Sequence, residues 1–330
     1  MMTRISPAII IIDKEGEYKT TPVIAEMPVK TQKFLKKHKI TTYEPNVLTL
    51  HPTDDTNSTL TLRAIDPVDI INFMPDLESK TEALLMHVIK RVLHQLDIEK
   101  APLRMDDFKQ RLLVEIQNNQ NIHREQRPAL ARAVLSGPLD IFDQLGRDPI
   151  LPGTLLQPGQ VTVIDCQNLD QNTRRVIVIY VQLMLDRFKM QAKSIEPGCL
   201  LIIDEAEEYF GQATSYNERL FVKRIISKME DVVHRGRKHK LGILLTTHAP
   251  ASISKAVLDL TNIKVAFGLS GASKFIREYF GRDYVNEIED QPTGKARLTA
   301  KITTAEYENI TVSLKIPFVG PEDDLPRDAK

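Results

Sequence analysis

The sequence predicts an α/β protein: a mostly parallel sheet flanked by helices, interrupted by a helical insertion and closed by a β-hairpin. Three observations predict it. Short continuous apolar runs, such as residues 9–12 and 199–203, read as strands buried on both faces. Stretches with helical periodicity lie between these runs. The runs end in carboxylates or hydroxyls, which an open α/β sheet gathers at the carboxyl ends of its strands, where its ligands bind.

Taken in order, residues 9–12 form a β-branched run ending at Asp13. Residues 46–50 and 58–62 are short strand-like pieces in a polar, turn-rich stretch. Over residues 81–96, Leu85, Val88, Ile89, Val92 and Leu96 recur at helical spacing. A second helix is expected over 106–117, with Phe108, Leu112 and Ile116 on one face. Pro128 suits the first turn of a third, which Gly137 and Pro138 interrupt. Residues 76–150 are therefore expected to be a helical insertion between two parts of one core, 1–75 and 151–319. In the second part, 161–164 resume the strand pattern, and 174–190 are apolar nearly all round, as a buried helix would be. Residues 217–234 present Phe221, Ile225, Met229 and Val232 on one helical face. Strands are expected over 243–246 and 264–268, a hairpin over 295–302 and 310–316, and a flexible tail over 320–330.

Composition narrows the classes. With 42% hydrophobic and 27% charged residues the chain is globular rather than disordered. Lys+Arg and Asp+Glu balance at 44 each, so nucleic-acid binding would rest on local basic patches rather than on a global excess. Cys166 and Cys199 both sit in apolar runs and read as buried free thiols. The apolar run at 8–12 is too short to cross a bilayer, and a cytoplasmic location with no membrane partner is expected. The histidines show no ligand spacing for zinc, and no G-x-S-x-G or cysteine-nucleophile context occurs.

Three constellations could carry chemistry. In CLLIIDEAEEYF (residues 199–210) a buried strand delivers Asp204 and Glu205 to its carboxyl end. In a nucleotide site the first carboxylate holds a magnesium ion through its water shell and the second polarises the attacking water. The plainer alternative is a strand reaching the surface, with acidic residues opening a helix near its positive dipole. In residues 232–254, a basic turn with Arg235, Arg237, Lys238 and Lys240 precedes a strand tipped by Thr246, Thr247 and His248. That tip could sense a γ-phosphate. The arginines could reach phosphate across a subunit interface, contact a nucleic-acid backbone, or simply cap a solvated helix C-terminus. In IIIIDKEGEY (residues 9–18), Asp13, Glu15 and Glu17 follow a strand. A phosphate-cradling G-x-x-x-x-G-K-[ST] does not occur in the 330 residues.

Together these motifs resemble the HerA/FtsK-like branch of P-loop ATPases, most closely HerA-type DNA translocases and helicases. The matching order is a strand ending D-x-x-G-E-Y, a helical insertion, PGQVTVIDCQNLD (158–170), the IIDEA Walker B, R-G-R-K-x-x-x-G, a sensor strand, and a hairpin with T-G-K-A (293–296). The resemblance implies a RecA-like core, ATP and Mg2+ as cofactors, DNA as partner, and a homo-oligomeric ring, a hexamer, with ATP between subunits. A nuclease partner is a further implication. It also implies roles: Asp204 as the Walker B residue holding Mg2+ through water, Glu205 as the catalytic base, and Arg235 or Arg237 as a trans-acting or sensor arginine. Asp13 and Glu17 would form the acidic loop beside the nucleotide, and Thr247 would contact it. His248 stands where the family usually has a glutamine sensor. The amino-terminal barrel, P-loop strand and P-loop helix would precede Met1, so the chain is expected to be poorly stable alone and to act with a segment or separate chain that carries the P-loop. Two other functions stay open: a non-hydrolysing DNA-binding or structural subunit derived from such a motor, and an unrelated α/β enzyme.

Overall fold

The isoleucine run forms the centre of a five-stranded sheet. The computed structural model describes residues 6–18, 46–52, 58–75, 77, 79–190, 197–211, 216–292, 295–302 and 305–313, together with residues 29, 33, 36 and 37. The strands are β1 (Ala8–Asp13), β2 (Asn46–Leu50), β3 (Ser58–Thr59), β4 (Asp148–Pro149), β5 (Gln160–Asp165), β6 (Cys199–Ile203), β7 (Leu241–Leu245), β8 (Ile263–Ala266), β9 (Lys295–Ile302) and β10 (Ala305–Ser313). The long helices are α1 (Ser79–Glu99), α2 (Met105–Asn118), α3 (Arg127–Ser136), α4 (Gln171–Leu185) and α5 (Tyr216–Gly236). Residues 1–17 with 47–246 form one compact unit, and 18–46 with 247–330 a second.

In the first unit the sheet order is β2-β5-β1-β6-β7. β1 runs parallel to both β5 and β6, which explains why a continuous apolar run suits it. Its Ala8, Ile10 and Ile12 are fully buried. β7 runs parallel to β6 and, among the described residues, pairs on that side alone. Its sequence LGILL is uncharged, and Leu244 is 46% exposed.

Helix α4 is buried almost all round, from Val176 to Val181 without a break. Asp170 caps it, accepting from the backbone N–H of Asn172 at 2.9 Å and of Thr173 at 3.1 Å. The helix ends at Leu185 and continues as a π-helical turn, Asp186–Met190, where the sequence suggested uninterrupted α-helix to 190. Helix α5 packs on α4 through Phe221, Ile225, Met229 and Val232, each no more than 2% exposed. An Arg175–Glu218 ion pair of 2.9 Å joins the two helices.

Between β3 and β4 stand α1, α2 and α3, with the predicted apolar positions of α1 and α2 facing inward. α5 holds this block: Arg224 donates to the Met74 carbonyl at 2.9 Å, the Leu77 carbonyl at 2.8 Å and Glu82 at 2.6 Å. Phe142 stacks on Phe73 and tilts against Tyr180 of α4, each with centroids 5.2 Å apart. Gly137 ends α3 where a Cβ would lie 2.7 Å from the Met74 sulfur, so no larger residue fits there without displacement.

The strand expected over 58–62 shrinks to β3, which pairs in parallel with the equally short β4. The chain then enters a 3-10 turn, Leu62–Ala64. The Thr61 hydroxyl accepts from the Arg63 N–H and donates to Asp143 at 2.7 Å, and these side-chain bonds displace a ladder.

The second unit holds an antiparallel sheet of order β10-β9-β8. Its core is Ala266, Ala272, Ile276, Phe280 and Ile288. The expected hairpin is present, but its second strand begins at Ala305 rather than near 310, with a bulge between Tyr307 and Ile310. The tail over 320–330 lies outside the described residues. Among the described residues no helix is long and apolar enough to cross a membrane, and both cysteines are free and buried.

Candidate functional site

The parallel register aligns the strand ends. Asp13 stands opposite Asp165, Ile12 opposite Ile203, and Ile203 opposite Leu245. The residues that follow therefore emerge along one edge, where backbone bonds fix them. Asp204 N–H donates to the Ile12 carbonyl at 3.2 Å, and Thr246 N–H to the Ile203 carbonyl at 3.1 Å. Ala206 N–H donates to the Thr246 carbonyl at 2.8 Å.

Asp204 is half-buried, and its Oδ1 accepts from the Thr246 hydroxyl. That bond orients one carboxylate oxygen and leaves the other for a further ligand. Glu205 follows with φ +48°, a left-handed conformation that a non-glycine residue adopts at a cost on the order of 1 kcal/mol. The turn sends its side chain back across the sheet edge, where Oε2 accepts from Lys14 Nζ at 2.5 Å. Lys14 also lies 3.1 Å from Glu15 and 3.4 Å from Glu208, and Glu208 lies 3.4 Å from Arg174. The Glu205 bond outweighs the opposing effect of burial and holds the Lys14 ammonium well above the usual lysine range.

Asp13 is fully buried, and its Oδ1 accepts from the Gly16 N–H at 2.9 Å, closing the turn after β1; Gly16 takes φ +76°. Glu17 lies exposed beyond that turn. Asp165, 2% exposed, makes the equivalent bond to Gln167 N–H at 3.0 Å. Tyr209 is fully buried in the helical turn Glu207–Phe210, and burial pushes its phenol far above its ordinary range.

Thr247 and His248 follow Thr246 directly but belong to the second unit, where Thr247 Oγ1 accepts from the Ala249 N–H at 3.0 Å and His248 is exposed. Arg235 sits in the last turn of α5, at the amino-terminal edge of the sheet. Gly236 beside it approaches Leu241, the first residue of β7. A five-residue strand rises about 13 Å, so Arg235 and Asp204 mark opposite ends of the sheet. Arg235 is half-exposed and pairs with Asp186 at 2.8 Å. Arg237 opens the 3-10 turn Arg237–His239 that follows.

The edge thus gathers Asp204 and Glu205 with Asp13, brings in Thr246 of the expected sensor tip as the partner of Asp204, and adds Lys14, to which the sequence assigned no role. Lys14 has a signal in retrospect: it is the first residue past a strand that neighbours the Asp-Glu strand. Among the described residues no group of three His, Cys, Asp or Glu could hold a metal by itself. One oriented carboxylate suits Mg2+, which keeps most of its waters and binds through one or two carboxylates plus a substrate's phosphates.

The family model described as the central domain of the helicase HerA matches residues 3–185. No curated protein matches the chain. VirB4 of Thermoanaerobacter pseudethanolicus superimposes with a TM-score of 0.60 at 13% identity, covering 92% of this chain and 81% of that one. The plasmid coupling protein TrwB bound to a non-hydrolysable ATP analogue gives 0.63 at 14% identity, covering 94% and 78%. TrwB with ADP and Mg2+ gives 0.59 at 14% identity, covering 95% and 86%. At such identities the likeness is one of fold, and the fold is the RecA-like P-loop ATPase core with a carboxyl-terminal hairpin.

Proposed function

Because this chain belongs to the family of the HerA helicase central domain, we propose that it supplies the hydrolytic edge of an ATP-driven DNA translocase. The observation that supports this most is the pairing of Asp204 with the Thr246 hydroxyl, beside Glu205, at the carboxyl end of adjacent parallel strands. An aspartate aimed by a neighbouring strand tip suits a magnesium ligand better than a strand that happens to end in acid.

In this reading Asp204 holds Mg2+ through its water shell, and the bound ion neutralises charge developing on the phosphates. Glu205 takes the proton of the attacking water. Thr246 fixes Asp204, and Asp13 holds the loop after β1 in place rather than touching nucleotide itself. Thr247 and His248 serve as phosphate sensors on the strand exit. Arg235 and Arg237, at the other end of the sheet from Asp204, act on a neighbouring subunit's nucleotide or on DNA. That assignment fits a homo-oligomeric ring, a hexamer, working in the cytoplasm. A nuclease acting on the same DNA is a natural partner. The 330 residues contain no G-x-x-x-x-G-K-[ST], and in this reading a further segment or a separate chain supplies the phosphate-cradling loop.

Hydrolysis measured with the loop-bearing segment restored tests the reading. DNA-stimulated ATP turnover is expected, and its absence would overturn it. The missing motif also favours a second reading, a non-hydrolysing subunit that binds DNA or sibling ATPases. In that case Arg235→Ala with Arg237→Ala would abolish DNA binding while Glu205→Gln changed nothing.

A further inference from the structure

A general base needs a free lone pair directed at its water. In Glu205, Lys14 Nζ holds Oε2 at 2.5 Å and so fixes the direction in which the carboxylate points. Both side chains are largely shielded, at 19% and 22% exposure, so the pairing is held with little screening by solvent.

Lys14 has somewhere else to go. Glu15 at 3.1 Å and Glu208 at 3.4 Å already lie within reach, so giving up Glu205 leaves the ammonium with two carboxylates. Arg174 steadies Glu208 in that position. Glu205, for its part, sits on a left-handed backbone at φ +48°, a conformation held by its surroundings rather than preferred. An ammonium with interchangeable partners and a strained carboxylate form a two-position element whose balance small changes would shift.

We infer that Lys14 is a positioning residue that latches Glu205 away from the attacking water, and that its transfer to Glu15 and Glu208 frees Glu205 to act as the base. The latch sets the fraction of sites competent to hydrolyse, so it governs kcat rather than nucleotide affinity. This rests on the hydrolytic role proposed for Glu205.

The test is steady-state ATP hydrolysis by the full chain with its loop-bearing segment, for wild type, Lys14→Met, Lys14→Arg, Glu15→Gln and Glu205→Gln. Lys14→Met should raise kcat several-fold with KM nearly unchanged. Lys14→Arg should behave as wild type. Glu15→Gln, at an exposed position, should lower kcat by removing a waiting acceptor. A fall in kcat for Lys14→Met, or an unchanged one, overturns the latch. If Lys14→Met does not fold, an unchanged kcat in Glu15→Gln overturns it instead. Retained hydrolysis in Glu205→Gln would sink the proposed function itself, and a wild type without hydrolysis would sink both.

Discussion

Replacing Thr246 by valine removes one hydroxyl and almost nothing else. The residue's backbone stays pinned on both sides, by the Thr246 N–H to Ile203 bond of 3.1 Å and the Ala206 N–H to Thr246 bond of 2.8 Å. Valine keeps the β-branched shape that suits a strand end. What is lost is the hydrogen bond from Oγ1 to the Asp204 carboxylate. A bond to a charged acceptor contributes about 1.5–3 kcal/mol. Because Asp204 is only half-buried and water can replace the donor, the lower end applies, equivalent to about tenfold. Lost support for a residue that orients a metal ligand typically costs about 10–100-fold in affinity or activity. ATP hydrolysis titrated with Mg2+ should therefore show Thr246→Val needing about tenfold more Mg2+, with a melting temperature close to wild type. Thr246→Ser, which keeps the donor, should sit near wild type. A valine variant with wild-type turnover and wild-type Mg2+ dependence would refute the idea that Thr246 aims Asp204.

Two further outcomes follow from the packing. Asp170→Ala should destabilise the protein by about 1 kcal/mol through loss of the α4 cap, read as a shift in urea midpoint. Burial pushes this carboxyl up, but bonds from the Thr173 hydroxyl and the Thr173 and Asn172 N–H groups prevail and hold it below its ordinary value. Its stabilisation is therefore present above about pH 4 and lost as pH falls through the lower folded value, so wild type and Asp170→Ala should converge in stability in acid. Arg224→Met should cost about 3 kcal/mol, because it strands the carbonyls of Met74 and Leu77 and the Glu82 carboxylate. Amide exchange in α1 should quicken more than in β1.

The helices and central strands were legible because their burial follows one period: Phe221, Ile225, Met229 and Val232 line α5, and Ile10 and Ile12 fill β1. The 3-10 turn at Leu62–Ala64 was not, since Thr61 diverts its hydrogen bonds to Asp143, 82 residues away. Asp204 and Glu205 could be read at a strand end, and so could their neighbourhood with Asp13, because parallel strands bring successive tips together. Lys14 had no assigned role, and Thr246 was read only as part of a phosphate-sensing tip, because a lysine after a strand and a threonine at a strand tip are ordinary until register shows which carboxylate each faces. Arg235 illustrates the converse. Its basic turn left open a contact across a subunit interface, a nucleic-acid contact or a solvated helix end, and register adds only that a helix preceding a parallel strand ends at the sheet's far edge, where Arg235 pairs with Asp186.

The most direct measurement is ATP turnover by Glu205→Gln against wild type, with the loop-bearing segment present and linear double-stranded DNA added. Loss of a general base predicts a fall of about 10²–10⁴-fold in kcat, with binding of Mg2+ and ATP retained. Turnover in the glutamine variant equal to wild type would contradict the assignment of this sheet edge as the hydrolytic site.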